Sequence, residues 1–247
     1  GRGTATAMLT VPGSWGPPAP SPGRAARPRT STPALPSPRR LTRAENGERL
    51  HALLWTAGPG RRMISSAVLG GGLGERAWIL NAQVSHGYRR TDPDRHLAGL
   101  AAAAGARGPG VGLMTAADVS AYAHARDAGA EAYVTAGGDV RGWAARPGEG
   151  AGGPQDPGTI NIVVAVPVPL SDAALVNAVA TTTEAKVQAL LEAGLDCSGT
   201  PTDAVCVAAR TPVPDEREYT FAGPRSLWGA RLARAVHRAV REAVVPV

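Results

Sequence analysis

Apolar and polar positions are distributed differently in successive parts of this chain, and each pattern predicts an element. The run Thr159-Ile-Asn-Ile-Val-Val-Ala-Val166 is β-branched and almost wholly apolar, which predicts a central strand buried on both faces. Pro167 and Pro169 end it, and Ser171 with Asp172 behind it fits the start of a helix running to about Ala193. Gly194 then sits where a left-handed cap belongs. Met63 to Leu69 and Ala77 to Val84 are strand-like runs flanking Gly70-Gly-Gly-Leu-Gly74, a spacing that predicts a β-hairpin with a glycine-rich connection. Asp94 to Ala104 reads as helix, while Gly110 to Thr115, Glu131 to Thr135 and Asp203 to Ala208 read as short strands. Gly148 to Gly158 reads as loop. Leu227 to Ala243 is amphipathic, with Leu232, Val236, Ala239 and Ala243 on one face and Arg231, Arg234, Arg238 and Arg241 mostly on the other. The order predicts an α/β (α+β) fold: a single domain whose mixed β-sheet is layered with helices, an αββα-like arrangement being one form of it.

Composition bounds this picture. Residues 1–47 are rich in Pro, Arg, Ser and Thr and bury too little apolar surface to offset ordering entropy, so a disordered extension is expected there, with the domain occupying 48–247. The formal charge is +6, and Gly1 to Arg49, with eight Arg and two Glu, accounts for all of it. A domain without net charge gives no reason to expect nucleic acid. Hydrophobic residues make up 43% and aromatic residues 4%, so the core must be built from Ala, Val, Leu and Ile. Cys197 and Cys206 cannot form a disulfide framework, and Cys206 in an apolar run reads as an inert buried thiol. The absence of a long apolar run and of a signal-like N-terminus leads to the expectation of a cytoplasmic protein without membrane contact. Oligomeric state is left open, a homodimer included.

Candidate chemistry is sparse. The glycine run lacks the helix and lysine of a phosphate loop, so a structural turn or a close backbone approach is the better reading. His51, His86, His96, His124 and His237 show no metal-ligand spacing, and no metal site is expected; His86 or His96, near Asp92 and Asp94, could take part in acid/base work. Gly158-Thr159 opens the buried strand. Its hydroxyl either starts a strand, as β-branched residues do, or serves as a nucleophile, with the α-amino group as base if the chain is cut just before it. Gly199-Thr-Pro-Thr-Asp203 places hydroxyls and a carboxylate at another strand start. Asn177, Thr181, Glu184 and Gln188 recur along one helix face, opposite Val176, Val179, Val187 and Leu190. That stripe faces solvent or lines a polar cavity.

Several longer phrases resemble adenosylcobinamide amidohydrolases: Ile64-Ser-Ser-Ala-Val-Leu-Gly-Gly-Gly72, Trp78-Ile-Leu-Asn-Ala-Gln-Val84, Gly110-Val-Gly-Leu-Met-Thr-Ala-Ala-Asp118 and Pro157-Gly-Thr-Ile-Asn-Ile-Val-Val164. Leu170-Ser-Asp-Ala-Ala-Leu-Val-Asn-Ala-Val179, Thr183-Glu-Ala-Lys186, Gly199-Thr-Pro-Thr-Asp-Ala-Val205 and Gly223-Pro-Arg-Ser-Leu-Trp-Gly229 continue the likeness, in order, from about Leu53 to Val240. The resemblance implies hydrolysis of the amide joining the aminopropanol arm of adenosylcobinamide to its corrin ring. The products are adenosylcobyric acid and 1-amino-2-propanol, in corrinoid salvage for coenzyme B12, and no cofactor is required because the corrinoid is the substrate. The sequence departs from the family's usual pattern at Pro201, where Ala is common.

Amide hydrolysis needs a nucleophile, an oxyanion stabiliser and an acid for the departing amine; the expected roles are Thr159 as nucleophile or water-orienting group, Asn81 or Asn161 as oxyanion donor, and Asp203 as acid/base. Expected substrate-binding positions are Ser65, Ser66, Gly71, Gly72, Gln83 and Thr115. Asp118, Asn177, Thr181, Glu184, Thr200 and Thr202 complete the set. Residues 158–208 are also similar to the second half of ornithine acetyltransferases, which cleave themselves before a nucleophilic Thr or Ser; this strengthens the case for Thr159. A corrinoid-binding module without hydrolysis and a small-molecule acyltransferase remain the alternatives.

Overall fold

A computed structural model describes residues 34–138, 140–146 and 158–244 of the chain. Ten strands form two sheets. Strands β1 (Arg39–Glu45), β2 (Glu48–Thr56), β5 (Trp78–Gln83) and β6 (Gly110–Thr115) make a four-stranded sheet in the order β1-β2-β5-β6. Strands β3 (Arg61–Ser65), β4 (Gly72–Glu75), β7 (Ala123–Asp127), β8 (Ala130–Gly137), β9 (Thr159–Val166) and β10 (Ala204–Arg210) make a six-stranded one, ordered β4-β3-β10-β9-β8-β7. Helix α1 (Pro93–Ala103) connects the parallel pair β5 and β6, and α2 (Asp172–Glu192) connects the parallel pair β9 and β10. Helix α3 (Leu227–Val244) closes the described fold.

Three apolar layers hold these elements together. Leu97 and Ala101 of α1 pack on Leu54, Leu80 and Ala82 of the smaller sheet. Trp55, Ile79, Leu113, Tyr133, Val163 and Cys206 fill the space between the sheets. Ile160, Ile162, Val164 and Val166 turn the other way, against Leu175, Leu190, Leu232 and Val236 of α2 and α3. The period-two alternation of β9 therefore buries a different apolar set on each face, as its uniformly apolar sequence predicts. The result is helix, sheet, sheet, helices: the layered mixed-sheet fold expected from the sequence.

Three expectations need correction. First, Arg39–Glu45 lies in the stretch expected to precede the domain, yet it pairs residue for residue with β2 through a turn at Asn46-Gly47. Both turn residues have positive φ, 52° and 81°, the conformation an Asn-Gly hairpin favours. Ala34 and Leu35 are also fully buried, while residues 1–33 lie outside the described residues, as do 147–157 of the expected loop. Second, the runs on either side of the glycines do not pair. The glycine segment supplies β4 itself, which pairs with β3, while β5 joins the other sheet between β2 and β6. Alternation marks a strand but does not name its partner. A Cβ at Gly70 would lie 1.9 Å from the Gly110 carbonyl oxygen, so the glycines serve close backbone approach. Third, the polar stripe of α2 is divided: Thr181 is buried and bonded to the Ala222 carbonyl, while Glu184 and Gln188 are exposed.

Candidate active site

Strand β9 begins where β10 begins and where β8 ends, since Asn161 pairs with Ala204 on one side and Thr135 on the other. This end of the larger sheet therefore collects the polar residues that open or close three strands. Thr159 and Asn161 share the face of β9 that looks toward the smaller sheet. There Asn161 donates to Asn81 Oδ1 at 2.9 Å and to the Met114 carbonyl at 3.0 Å, and Asn81 donates to Thr135 Oγ1 at 2.9 Å. Asn81 and Asn161 are almost fully buried. Both side chains help tie the two sheets together, Asn161 through two donated bonds and Asn81 through one. The Asn161 side-chain oxygen has no hydrogen-bond partner among the described residues.

At the mouth of β9 the Thr159 hydroxyl lies 2.6 Å from that of Thr202, which donates to the Gly158 carbonyl at 3.1 Å. The peptide link before Thr159 is thus held by the hydroxyls that flank it. Asp203, one residue before β10, receives four donors. Oδ1 accepts from Ile160 N at 2.8 Å and Thr200 Oγ1 at 2.6 Å, and Oδ2 accepts from Thr200 N at 3.1 Å and Lys186 Nζ at 2.5 Å. With four donors on its two oxygens, Asp203 fixes the positions of Ile160, Thr200 and Lys186. The side chains of Lys186 and Asp203 are 9% and 11% exposed, so the pair is largely shielded from water.

Beside the cluster lies a hollow of about 500 Å³, lined among others by Trp143, Thr183, Lys186, Val187, Thr200 and Pro201. Ser198 fixes its rim by accepting from Ala144 N at 2.8 Å and donating from its own N–H to Gly142 O at 2.9 Å. Trp143, between these two contacts, is 45% exposed. The exposed indole at the edge of this largely apolar hollow offers a flat face that suits a planar ligand.

The other expected positions divide. Ser65 donates to the Val205 carbonyl and Ser66 accepts from Val205 N, so both fasten the end of β3 to the start of β10 beside the cluster. Gly72 opens the edge strand opposite Ser65, and Gly71 precedes it where a Cβ would lie 2.6 Å from the Ala67 carbonyl oxygen. Thr115 accepts from Ala117 N, and Asp118 caps a short 3-10 turn through Ser120 N. Gln83 accepts from His51 N on β2. Asn177 and Thr181 bind the backbone of Ala222, before α3, and Glu184 lines a separate groove with Gln188 and His237. That face of α2 supports α3 instead of facing the cluster.

His96 is stacked on Tyr88 and lies 3.3 Å from Glu45; exposed His86 precedes α1. Burial pushes the Cys206 thiol up to about 12, consistent with an inert side chain. The residues missed are Thr135 and Lys186. A mid-helix lysine reads as solvent-facing until the helix is docked, although its spacing from Ala178, Thr182 and Ala189 could have marked the buried face.

Among the described residues no group of three or more His, Cys, Asp or Glu side chains is placed to hold a metal ion, and no helix is long and apolar enough to cross a membrane. Against known proteins, residues 36–246 match the family described as adenosylcobinamide amidohydrolase. A protein of Methanosarcina mazei named adenosylcobinamide amidohydrolase is 31% identical over 186 residues, covering 71% of this chain and 86% of that relative.

Proposed function

The chain belongs to the adenosylcobinamide amidohydrolase family, and from that premise we propose that the cluster around Thr159, Thr202 and Asp203 is the place where its reaction occurs. The reaction is hydrolysis of the amide between the corrin ring and the aminopropanol arm of adenosylcobinamide, in corrinoid salvage. The observation that carries the placement is the convergence of Thr159, Thr200, Thr202, Asp203 and Lys186 on one strand end that borders an open hollow.

In this reading Thr159 supplies the attacking hydroxyl. Thr202, 2.6 Å away, orients it, and Asp203 holds the backbone at Ile160, so the attacking oxygen is fixed before substrate arrives. The hollow takes the arm and its linking amide, and the exposed indole of Trp143 offers a shelf for the planar ring. Asn81, Asn161 and Thr135 act as the rigid floor that keeps both sheets in register. No cofactor takes part, and the enzyme works in the cytoplasm on a small-molecule substrate.

Incubation with adenosylcobinamide followed by mass analysis tests this. Adenosylcobyric acid and 1-amino-2-propanol should form in equal amounts, and T159A should lower turnover about 100-fold with an unchanged melting temperature. Bound but uncleaved corrinoid would identify a binding module instead. Full turnover by T159A would remove Thr159 from the reaction.

A further inference from the structure

Of the 26 basic residues in the chain, 25 are arginine, and Lys186 is the sole lysine. Wherever this protein needs a positive charge alone it uses a guanidinium, as on α3, where Arg234 and Arg238 pair with Asp127 and Arg241 reaches Glu192. Lys186 is the exception in position as well as in type. It is 7% exposed, its Nζ sits 2.5 Å from Asp203 Oδ2, and it lines the hollow beside Thr200.

The backbone is shaped around that side-chain nitrogen. Gly199 has φ +140°, and a Cβ there would lie 2.4 Å from Lys186 Nζ and 2.3 Å from Asp203 Oδ2. A loop that gives up a side chain at this point leaves room for the Lys186 nitrogen beside Asp203. The chemical difference between the two cations points the same way, because a lysine can release and regain a proton, whereas a guanidinium stays charged. Asp203, with its oxygens filled by Ile160, Thr200 and Lys186, anchors the amine against the strand end that carries Thr159.

We propose that Lys186 is the proton-carrying catalytic residue of this site. The inference rests on the reading of the hollow as the place where the linking amide is cleaved. With Nζ as the free amine, donating one N–H to Asp203, its lone pair takes the Thr159 proton as the Thr159 oxygen adds to the amide carbonyl. When the tetrahedral adduct collapses, the C–N bonding pair goes to nitrogen, which takes a proton from Nζ, and the amine leaves. Water then adds to the Thr159 ester and gives its proton to Nζ, which returns one to the Thr159 oxygen as that C–O bond breaks. The sum is one water added across the C–N bond, with Lys186 and Thr159 restored.

The test is turnover of adenosylcobinamide by the wild-type protein, K186R, and K186A with small primary amines added. K186R keeps the charge and should lose about 100-fold in kcat with KM within about threefold of the wild type. K186A should be rescued by amines at rates that rise with amine basicity. That trend would not arise if the lysine only balanced the charge of Asp203, and it can be read even if K186R folds poorly. Wild-type cleavage with K186R within about threefold in kcat, or rescue that ignores basicity, overturns the role of Lys186 alone. Failure of the wild-type protein to cleave adenosylcobinamide overturns this inference together with the reading beneath it.

Discussion

Two carboxylates lie buried along the larger sheet, and their surroundings differ in kind. Glu131, on β8, accepts from Ala34 N at 3.0 Å and from the Tyr133 hydroxyl at 3.0 Å, with His124 and Arg126 each 3.4 Å away. Every one of these partners belongs to the protein's own framework, and the bond to Ala34 pins the segment that buries Leu35 between the sheets. Asp203 is as richly bonded, but its partners Lys186 and Thr200 line a hollow, and Ile160 N adjoins a hydroxyl at a strand mouth. Burial and hydrogen bonding alone do not distinguish an anchor from an active site. The distinction lies in whether the partners face space that a substrate can occupy.

That contrast can be broken in graded ways. The largest effect expected on stability comes from E131A, which leaves the Ala34 N–H and the Tyr133 hydroxyl without their acceptor. A cost of about 3 kcal/mol follows, and thermal unfolding should show a melting temperature lower by about 6–12 °C. Its kcat on adenosylcobinamide should match the wild type. G199A acts on the other region. The added methyl group must push Lys186 from Asp203, so kcat should fall about 30-fold, while strain at the positive φ costs about 1 kcal/mol of stability.

A smaller effect concerns pH. Burial alone would raise the Glu131 pKa, but nearby His124 and the hydrogen bonds from Ala34 N and Tyr133 outweigh it and hold the carboxyl below its ordinary 4.5. A group lowered in the folded state contributes stability above its ordinary value and loses that contribution as pH falls through its folded value. Melting temperatures measured from pH 6 down to pH 3 should therefore fall more steeply for the wild type than for E131Q. The smallest effect should come from thiol reagents. Cys206 is fully enclosed with its thiol raised, so alkylation of the folded protein should leave turnover unchanged, as kinetics before and after treatment would show.

Legibility from sequence followed the range of each signal. The β9–α2–β10 unit was readable because its signals are local. They are a two-faced apolar strand, a Ser171 side chain that accepts from Ala174 N, and Gly194 at φ +82°. Strand β1 was hidden because Arg39–Glu45 carries charge at its exposed positions and looks like the polar stretch before it, although Asn46-Gly47 announced a hairpin. The glycine run misled because β4 and β5 enter different sheets, which no local pattern specifies. Within the site, Thr159, Thr202 and Asp203 were visible as polar residues at strand starts. The duties of Asn81 and Asn161 depend on contacts 54 and 80 residues apart in the chain and emerge only when the sheets pack. Lys186 needed the docking of α2 to show that its face is buried.

If Asp203 serves the proposed reaction and Glu131 the scaffold, kcat on adenosylcobinamide and melting temperature for D203N and E131Q, measured side by side, will separate them. D203N should show a kcat about 100-fold lower, and E131Q an unchanged kcat with a lowered melting temperature. Near-normal turnover by D203N, or a kcat lost through E131Q, would contradict that division.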